Sequence, residues 1–163
     1  MEWAEVLADP TLRDLPYKIE LDHYGRIVMS PASNQHGELQ ARLAYLLPRM
    51  LQDGKVITEC SIATPGGVKV ADVAWASPDF ARRHGKVTPF PAAPDLCVEI
   101  VSRSDSAAEM AEKVSLYLDA GAREVWLVGE DGAITIHGPE GERATSVFPG
   151  APDVLAAAGL GLP

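Results

Sequence analysis

The stretches VKVADVAWA and DLCVEIV are apolar almost throughout, and each carries one carboxylate deep inside it, Asp72 and Glu99. Runs of this kind read as strands inside a sheet, and an ionised side chain in one must be paired, protonated or metal-bound. Left uncompensated, a buried charge costs several kcal/mol. By alternation Asp72 shares its strand face with Val68, Val70 and Ala74, and Glu99 shares its face with Cys97 and Val101. If the two strands are neighbours, both carboxylates can converge on one divalent cation, and hard oxygen ligands suit Mg²⁺ or Mn²⁺ better than zinc. A lysine completes the group. In AEMAEKVSLYL, Met110, Val114 and Tyr117 define a buried helix face, and Lys113 falls about 60° from Met110, inside the apolar arc. From there it should reach back toward the carboxylates.

Around these segments the chain reads as an alternation of strands and helices. YKIEL and RIVMS flank Asp22-His23-Tyr24-Gly25 as a β-hairpin. Ser33 or Asn34 caps a helix running to about Gln52, with His36, Leu39, Leu43, Leu47 and Met50 at helical spacing and Pro48 set to kink it or end it early. KVITECSIA and VKVADVAWAS follow as strands joined at Pro65-Gly66-Gly67, and PDFARRHG as a short helix closing on Gly85. The Pro-rich VTPFPAAP leads into DLCVEIV. Ser106 and Glu109 form a capping-box pattern opening a helix that stops at Gly121. REVWLV and AITIHG flank Gly129-Glu130-Asp131-Gly132 as a second hairpin, ERATSVF offers a further strand, and Ala151 to Pro163 reads as a weakly ordered tail or edge. The expected fold class is mixed α/β (α+β): a mixed sheet flanked by helices, with an N-terminal hairpin.

No composition break divides the 163 residues, so residues 1–163 are expected to form one domain. Cys60 and Cys97 lack the close spacing of a zinc or redox site and read as small buried residues. The opening MEWAEVLADPTLRDLP has neither a basic start nor a long apolar run, so the expectation is a soluble, cytoplasmic protein with no membrane partner. A net charge of −9 works against a large anionic partner. That charge is uneven: residues 69–103 hold five bases against four acids, whereas residues 104–163 hold three against ten.

The strings GVKVADVAWAS, APDLCVEIVSRSDS and EKVSLYLDAGAREVWLV resemble the Uma-two family of restriction-endonuclease-like proteins, and the resemblance extends from YKIEL to the C-terminus. That family belongs to the PD-(D/E)XK nuclease superfamily. The resemblance implies a restriction-endonuclease-like fold and metal-dependent hydrolysis of phosphodiester bonds, with nucleic acid, DNA in the first instance, as substrate and Mg (or Mn) as cofactor. By matching position Asp72 is the motif aspartate and Glu99 the second acid, and the carbonyl of Ile100 completes the metal shell. The motif lysine is due two residues after the acid, where Val101 stands, and Lys113 resembles its migrated replacement. His36 matches a histidine of the family's first long helix. Two positions depart from the pattern: Ala71 replaces the proline before the aspartate, and Arg103 interrupts a Ser-Pro-Ser.

Each residue also has a plainer reading. Asp72 could sit at an exposed edge, Glu99 and Lys113 could be a buried ion pair that only fixes the fold, and His36 could be a hydrogen-bonded core histidine. The basic cluster Arg82, Arg83, His84 and Lys86 could be a surface patch. If nucleic acid binds, however, Arg82, Arg83, Lys86 or Arg103 should rim the site. Trp75, Trp126 and Tyr117 read as core. The rival to a nuclease is a catalytically inactive binding or scaffold module on the same fold. A homodimer is the default assembly, since cutting two strands calls for two sites.

Overall fold

The computed structural model describes residues 1–157 and 159–160. In chain order the elements are α1 (Trp3–Ala8), β1 (Tyr17–Leu21), β2 (Ile27–Pro31), α2 (Asn34–Met50), β3 (Lys55–Thr64), β4 (Gly67–Ala76), α3 (Pro78–His84), β5 (Leu96–Val101), α4 (Ala107–Asp119), β6 (Glu124–Gly129), β7 (Ile134–Gly138), β8 (Gly141–Arg143) and α5 (Ala151–Ala157). The last six strands pair in the order β3-β4-β5-β6-β7-β8, and β1 and β2 form a separate hairpin. Of the strand pairs in that sheet, β5 and β6 run parallel and the others antiparallel. A parallel pair needs a crossover, and α4 supplies it. This is the mixed α+β architecture expected from the order of elements.

Local chemistry sets the ends of the helices that matter. Ser33 caps α2, its hydroxyl accepting from the His36 N–H at 3.0 Å, which fixes where His36 enters the first turn. Leu39, Leu43 and Leu47 form the buried stripe, and the helix ends two residues beyond Pro48. Ser106 and Glu109 cap α4 reciprocally, the Glu109 N–H donating to the Ser106 hydroxyl at 3.2 Å and the Ser106 N–H to Glu109 Oε2 at 2.9 Å. Past its other end Gly121 takes φ +109°, a conformation open to glycine.

The two sheet faces are covered differently. Val73, Trp75, Leu96, Val98, Ile100 and Trp126 pack under α2 and α5. Ala74, Cys97 and Val125 lie under Val114 and Tyr117 of α4. Alternation therefore assigns Asp72 and Glu99 to the α4 side. The β4–β5 ladder pairs Trp75 with Leu96, Ala74 with Cys97 and Val73 with Val98, and goes no further. One more step of that register would set Asp72 opposite Glu99. The carboxylates stand where two buried strands part.

Two expectations change. Residues 151–157 form a helix rather than a loose tail, with Ala151, Leu155 and Leu160 buried in the α2 cluster. An apolar stripe on a short helix gains by covering the exposed flank of α2. Ala158 and residues 161–163 lie outside the described residues. The strand expected over ERATSVF stops at Arg143. The chain beyond it turns to satisfy buried Glu124, which accepts from the Val147 N–H at 3.0 Å and from the Ser146 hydroxyl. Cys60 and Cys97 are buried and free, as their spacing implied.

Candidate active site

At the parting of β4 and β5, each carboxylate has one oxygen tied to the scaffold and one turned inward. The Ile100 N–H donates to Asp72 Oδ2 at 2.7 Å, taking a side-chain acceptor where the strand ladder has ended. The buried Tyr117 hydroxyl donates to Glu99 Oε1 at 2.6 Å. The remaining oxygens, Asp72 Oδ1 and Glu99 Oε2, lie 2.7 and 3.0 Å from a single atom, Nζ of Lys18. Side-chain exposure is 1% for Asp72 and 3% for Glu99, so neither charge is relieved by water.

Sequence-predicted and unpredicted residues surround this pair. His36 Nε2, from the first turn of α2, lies 3.2 Å from Asp72 Oδ1. Lys113 Nζ lies 3.4 Å from Glu99 Oε2, but its nearer partner is Glu20 Oε1 at 2.9 Å. The same Glu20 oxygen accepts from the Val70 N–H at 2.8 Å, which fastens β1 to β4. Asp72, Glu99, Lys113, His36 and Ile100 are thus brought together. Lys18, Glu20 and Tyr117 join them without having been expected there. Lys18 and Glu20 alternate on one face of YKIEL, a pattern that ordinarily marks the solvent side of a hairpin. The signal available was that a buried acid pair lacks a counter-charge, and Lys113 alone does not balance it. Tyr117 carried a weaker signal, four residues from Lys113 and hence on the same helix stripe.

The electrostatics follow from this crowding. Burial alone would raise the Asp72 carboxyl. The hydrogen bond from His36 and the Lys18 ammonium outweigh burial and hold Asp72 well below the usual carboxylate range. Burial dominates at Glu99 and pushes its carboxyl up, with Lys18 and Lys113 opposing that and the Asp72 charge adding to it. His36 is raised, first by its hydrogen bond to Asp72. Desolvation works against the Lys113 ammonium, yet Glu99 and Glu20 raise it overall. Tyr117 is raised far above an ordinary phenol by burial and by Glu99, so it remains a neutral donor.

Glu99 opens into a cleft of about 550 Å³ lined also by Lys18, His36, Ile100 and Lys113, with Met29 of the hairpin and Ser102 of the following loop on its walls; Asp72 sits behind Lys18 and His36, which contact it. Of the basic rim expected from the sequence, Arg103 lies at the cleft's edge, between the lining residues Ser102 and Ser104, and the α3 cluster does not. Among the described residues, Arg82, Arg83, Lys86 and Arg103 do not line this cleft; its outer charges are Glu59, Asp105 and Glu109. Lys86 lines a separate groove beside Phe80 and Lys55. Arg82 pairs with Asp79 within α3, so its charge is spent within its own helix. Arg103 is exposed on the loop between Ser102 and Ser104.

Nearby, Gln40 steadies the backbone of the acid: its amide donates to the Asp72 carbonyl at 2.9 Å and to Glu59 Oε1 at 2.6 Å. Glu59 holds φ +51° in the middle of β3, a left-handed conformation that costs a non-glycine residue energy and interrupts the ladder beside Asp72. No group of three His, Cys, Asp or Glu side chains gathers as a metal cluster among the described residues. The protein's share of a metal shell would be two carboxylates and a backbone carbonyl. That oxygen-only set fits a hard cation that keeps several waters.

Solved structures supply a fold likeness. The chain aligns with a putative nuclease belonging to DUF820 from Anabaena variabilis, with a TM-score of 0.72, 16% identity, and coverage of 97% of this chain and 99% of that one. Among curated proteins no sequence matches. The sequence also matches Uma2, described as putative restriction endonuclease, over residues 4–162. With nearly its whole length inside that match, the chain belongs to the Uma2 family of putative restriction endonucleases.

Proposed function

We propose that the protein is a divalent-metal-dependent nuclease that hydrolyses phosphodiester bonds of nucleic acid, with DNA as the first substrate to test. The observation that carries this reading is the shared vertex: Asp72 Oδ1 and Glu99 Oε2 both lie within 3.0 Å of one point while their outer oxygens are tied down. Membership in the family and a nuclease-like fold support it. Asp72, Glu99 and the Ile100 carbonyl would hold Mg²⁺ or Mn²⁺. Bound there, the cation would polarise a phosphate and lower the pKa of a water.

The chain's own residues supply the rest. Lys113 stays an ammonium beside Glu99, held on its line by Glu20, and its one remaining donor can orient the attacking water while its charge stabilises the phosphate. His36 lines the same cleft and can add a hydrogen bond to phosphate or water. Tyr117 and the Ile100 N–H keep each carboxylate from rotating, a preorganisation that costs nothing at the moment of reaction. No helix among the described residues is long and apolar enough to cross a membrane. We read the protein as cytoplasmic and homodimeric, two-strand cutting being the reason for the dimer.

A second reading has an observation of its own. The outer charges of the cleft are Glu59, Asp105 and Glu109, and a phosphate backbone draped over them would be repelled. A binding or scaffold module without catalysis fits that wall. Plasmid nicking in Mg²⁺ or Mn²⁺ decides between the two. Wild type should convert supercoiled to nicked circles and Asp72→Ala should not, whereas equal, metal-independent inertness in both would favour the scaffold.

A further inference from the structure

Lys18 lies on the hairpin, outside every segment that supplies the acids, yet it makes the shortest cation contact with each of them. Its Nζ is 2.7 Å from Asp72 Oδ1 and 3.0 Å from Glu99 Oε2, against 3.4 Å for Lys113 to Glu99. These are the two inward oxygens. An ammonium at this vertex neutralises a carboxylate pair that otherwise repels itself in a desolvated pocket. A divalent ion ligated by the same two oxygens at about 2.0–2.6 Å would need the space that Nζ fills. The two cations exclude one another.

We propose that Lys18 is the built-in counter-cation of the metal position, a positioning residue that keeps the two acids at one vertex in the metal-free protein and must swing aside for a divalent ion to enter. The proposal rests on the metal-site reading given above.

The structure provides for such a movement. The Lys18 side chain is 11% exposed and lines the cleft of about 550 Å³, so its flexible stem has somewhere to go. The hairpin does not depend on it for anchorage, because Glu20, two residues on and on the same face, accepts from the Val70 N–H of β4 and from Lys113. Strand β1 can therefore stay in place while one side chain moves. Once in the cleft, the ammonium adds a positive charge beside the site, where the outer wall is acidic. Metal entry would then expose a cation toward an incoming phosphate.

The test measures binding, not cleavage. In the full chain at pH 8, Mn²⁺ titrated calorimetrically into Lys18→Met should bind at least tenfold more tightly than into wild type, since the competing ammonium is gone and the apolar stem is kept. Lys18→Arg, which retains the charge, should stay near wild type. A second measurement needs no variant. Amine acylation of wild type, read by mass spectrometry of the peptide containing Lys18, should rise several-fold on saturation with Mn²⁺. Unchanged or weaker Mn²⁺ binding in Lys18→Met, or Lys18 acylation indifferent to Mn²⁺, would overturn the proposal. Asp72→Ala separates the two levels. If it abolishes Mn²⁺ binding while Lys18 acylation in wild type stays flat with Mn²⁺, only the role of Lys18 fails; if it binds Mn²⁺ like wild type, the metal-site reading fails and the role of Lys18 with it.

Discussion

The Tyr117 hydroxyl donates to Glu99 Oε1 at 2.6 Å from a fully buried ring, so the helix that crosses over from β5 to β6 also fixes the rotation of the acid on β5. Crossover and site are coupled through this hydrogen bond and through Lys113 of the same helix, 3.4 Å from Glu99 Oε2. Tyr117→Phe removes the donor and leaves a buried carboxylate oxygen unsatisfied, a loss of about 1–3 kcal/mol. Denaturant melts of the metal-free protein should show that decrease with an unchanged m-value, and Mn²⁺ binding should weaken because Glu99 is free to turn. A Phe variant as stable as wild type would mean that water satisfies Oε1.

Lys113 offers a sharper separation of structure from chemistry. Its nearest partner is Glu20, not Glu99, and Glu20 keeps the Val70 N–H when the lysine is lost. Lys113→Met should therefore fold and bind Mn²⁺, while nicking falls by about two orders of magnitude, the scale of removing one preorganised charge-stabilising group. If instead the metal-free variant loses several kcal/mol of stability and metal restores both fold and cutting, Lys113 serves only to balance buried charge.

Much of this site was legible because buried strands and helices betray charged intruders. Asp72, Glu99 and Lys113 each broke an apolar pattern, and all three meet at the site. Lys18 and Glu20 broke nothing. On a hairpin, alternating polar residues are the rule, and the sequence does not show that this polar face turns inward against β4. Tyr117 was hidden for the opposite reason: a tyrosine on an apolar stripe satisfies the pattern, and only coordinates reveal where its hydroxyl points. The α3 part of the basic rim failed on a third ground. Arg82 and Arg83 are close in sequence to the strand that carries Asp72, but α3 carries them away from the cleft.

That last placement is testable. Replacing Arg82 and Arg83 together with serine removes two positive charges from the chain, yet neither lines the acid pair's cleft. Nicking by the double variant should stay within about twofold of wild type at moderate ionic strength, where salt screens exposed charges that do not touch the bound substrate. A steep loss would place the nucleic-acid path over α3 and restore the role expected from the sequence.

Acid should loosen the hairpin that carries Lys18. At its turn, Asp22 accepts from the Tyr24 and Arg26 N–H groups, each at 2.9 Å, and from Arg26 Nε at 2.7 Å. The Arg26 backbone hydrogen bond is the largest influence that lowers its carboxyl, from 3.8 to about 2. A folded value below the unfolded one contributes stability that is fully present above about pH 3.8 and is lost as pH falls through about 2. Amide exchange in residues 17–31 should therefore accelerate over that window relative to the β5–β6 ladder. Asp22→Asn should remove the pH dependence by giving the turn a side chain that does not titrate. The same exchange profile in wild type and Asp22→Asn across that window would show that the turn carboxylate does not hold the hairpin, whose place at the site then rests on β1's contacts with β4, the Glu20 bond to the Val70 N–H and the packing of Leu21 on Val70 among them.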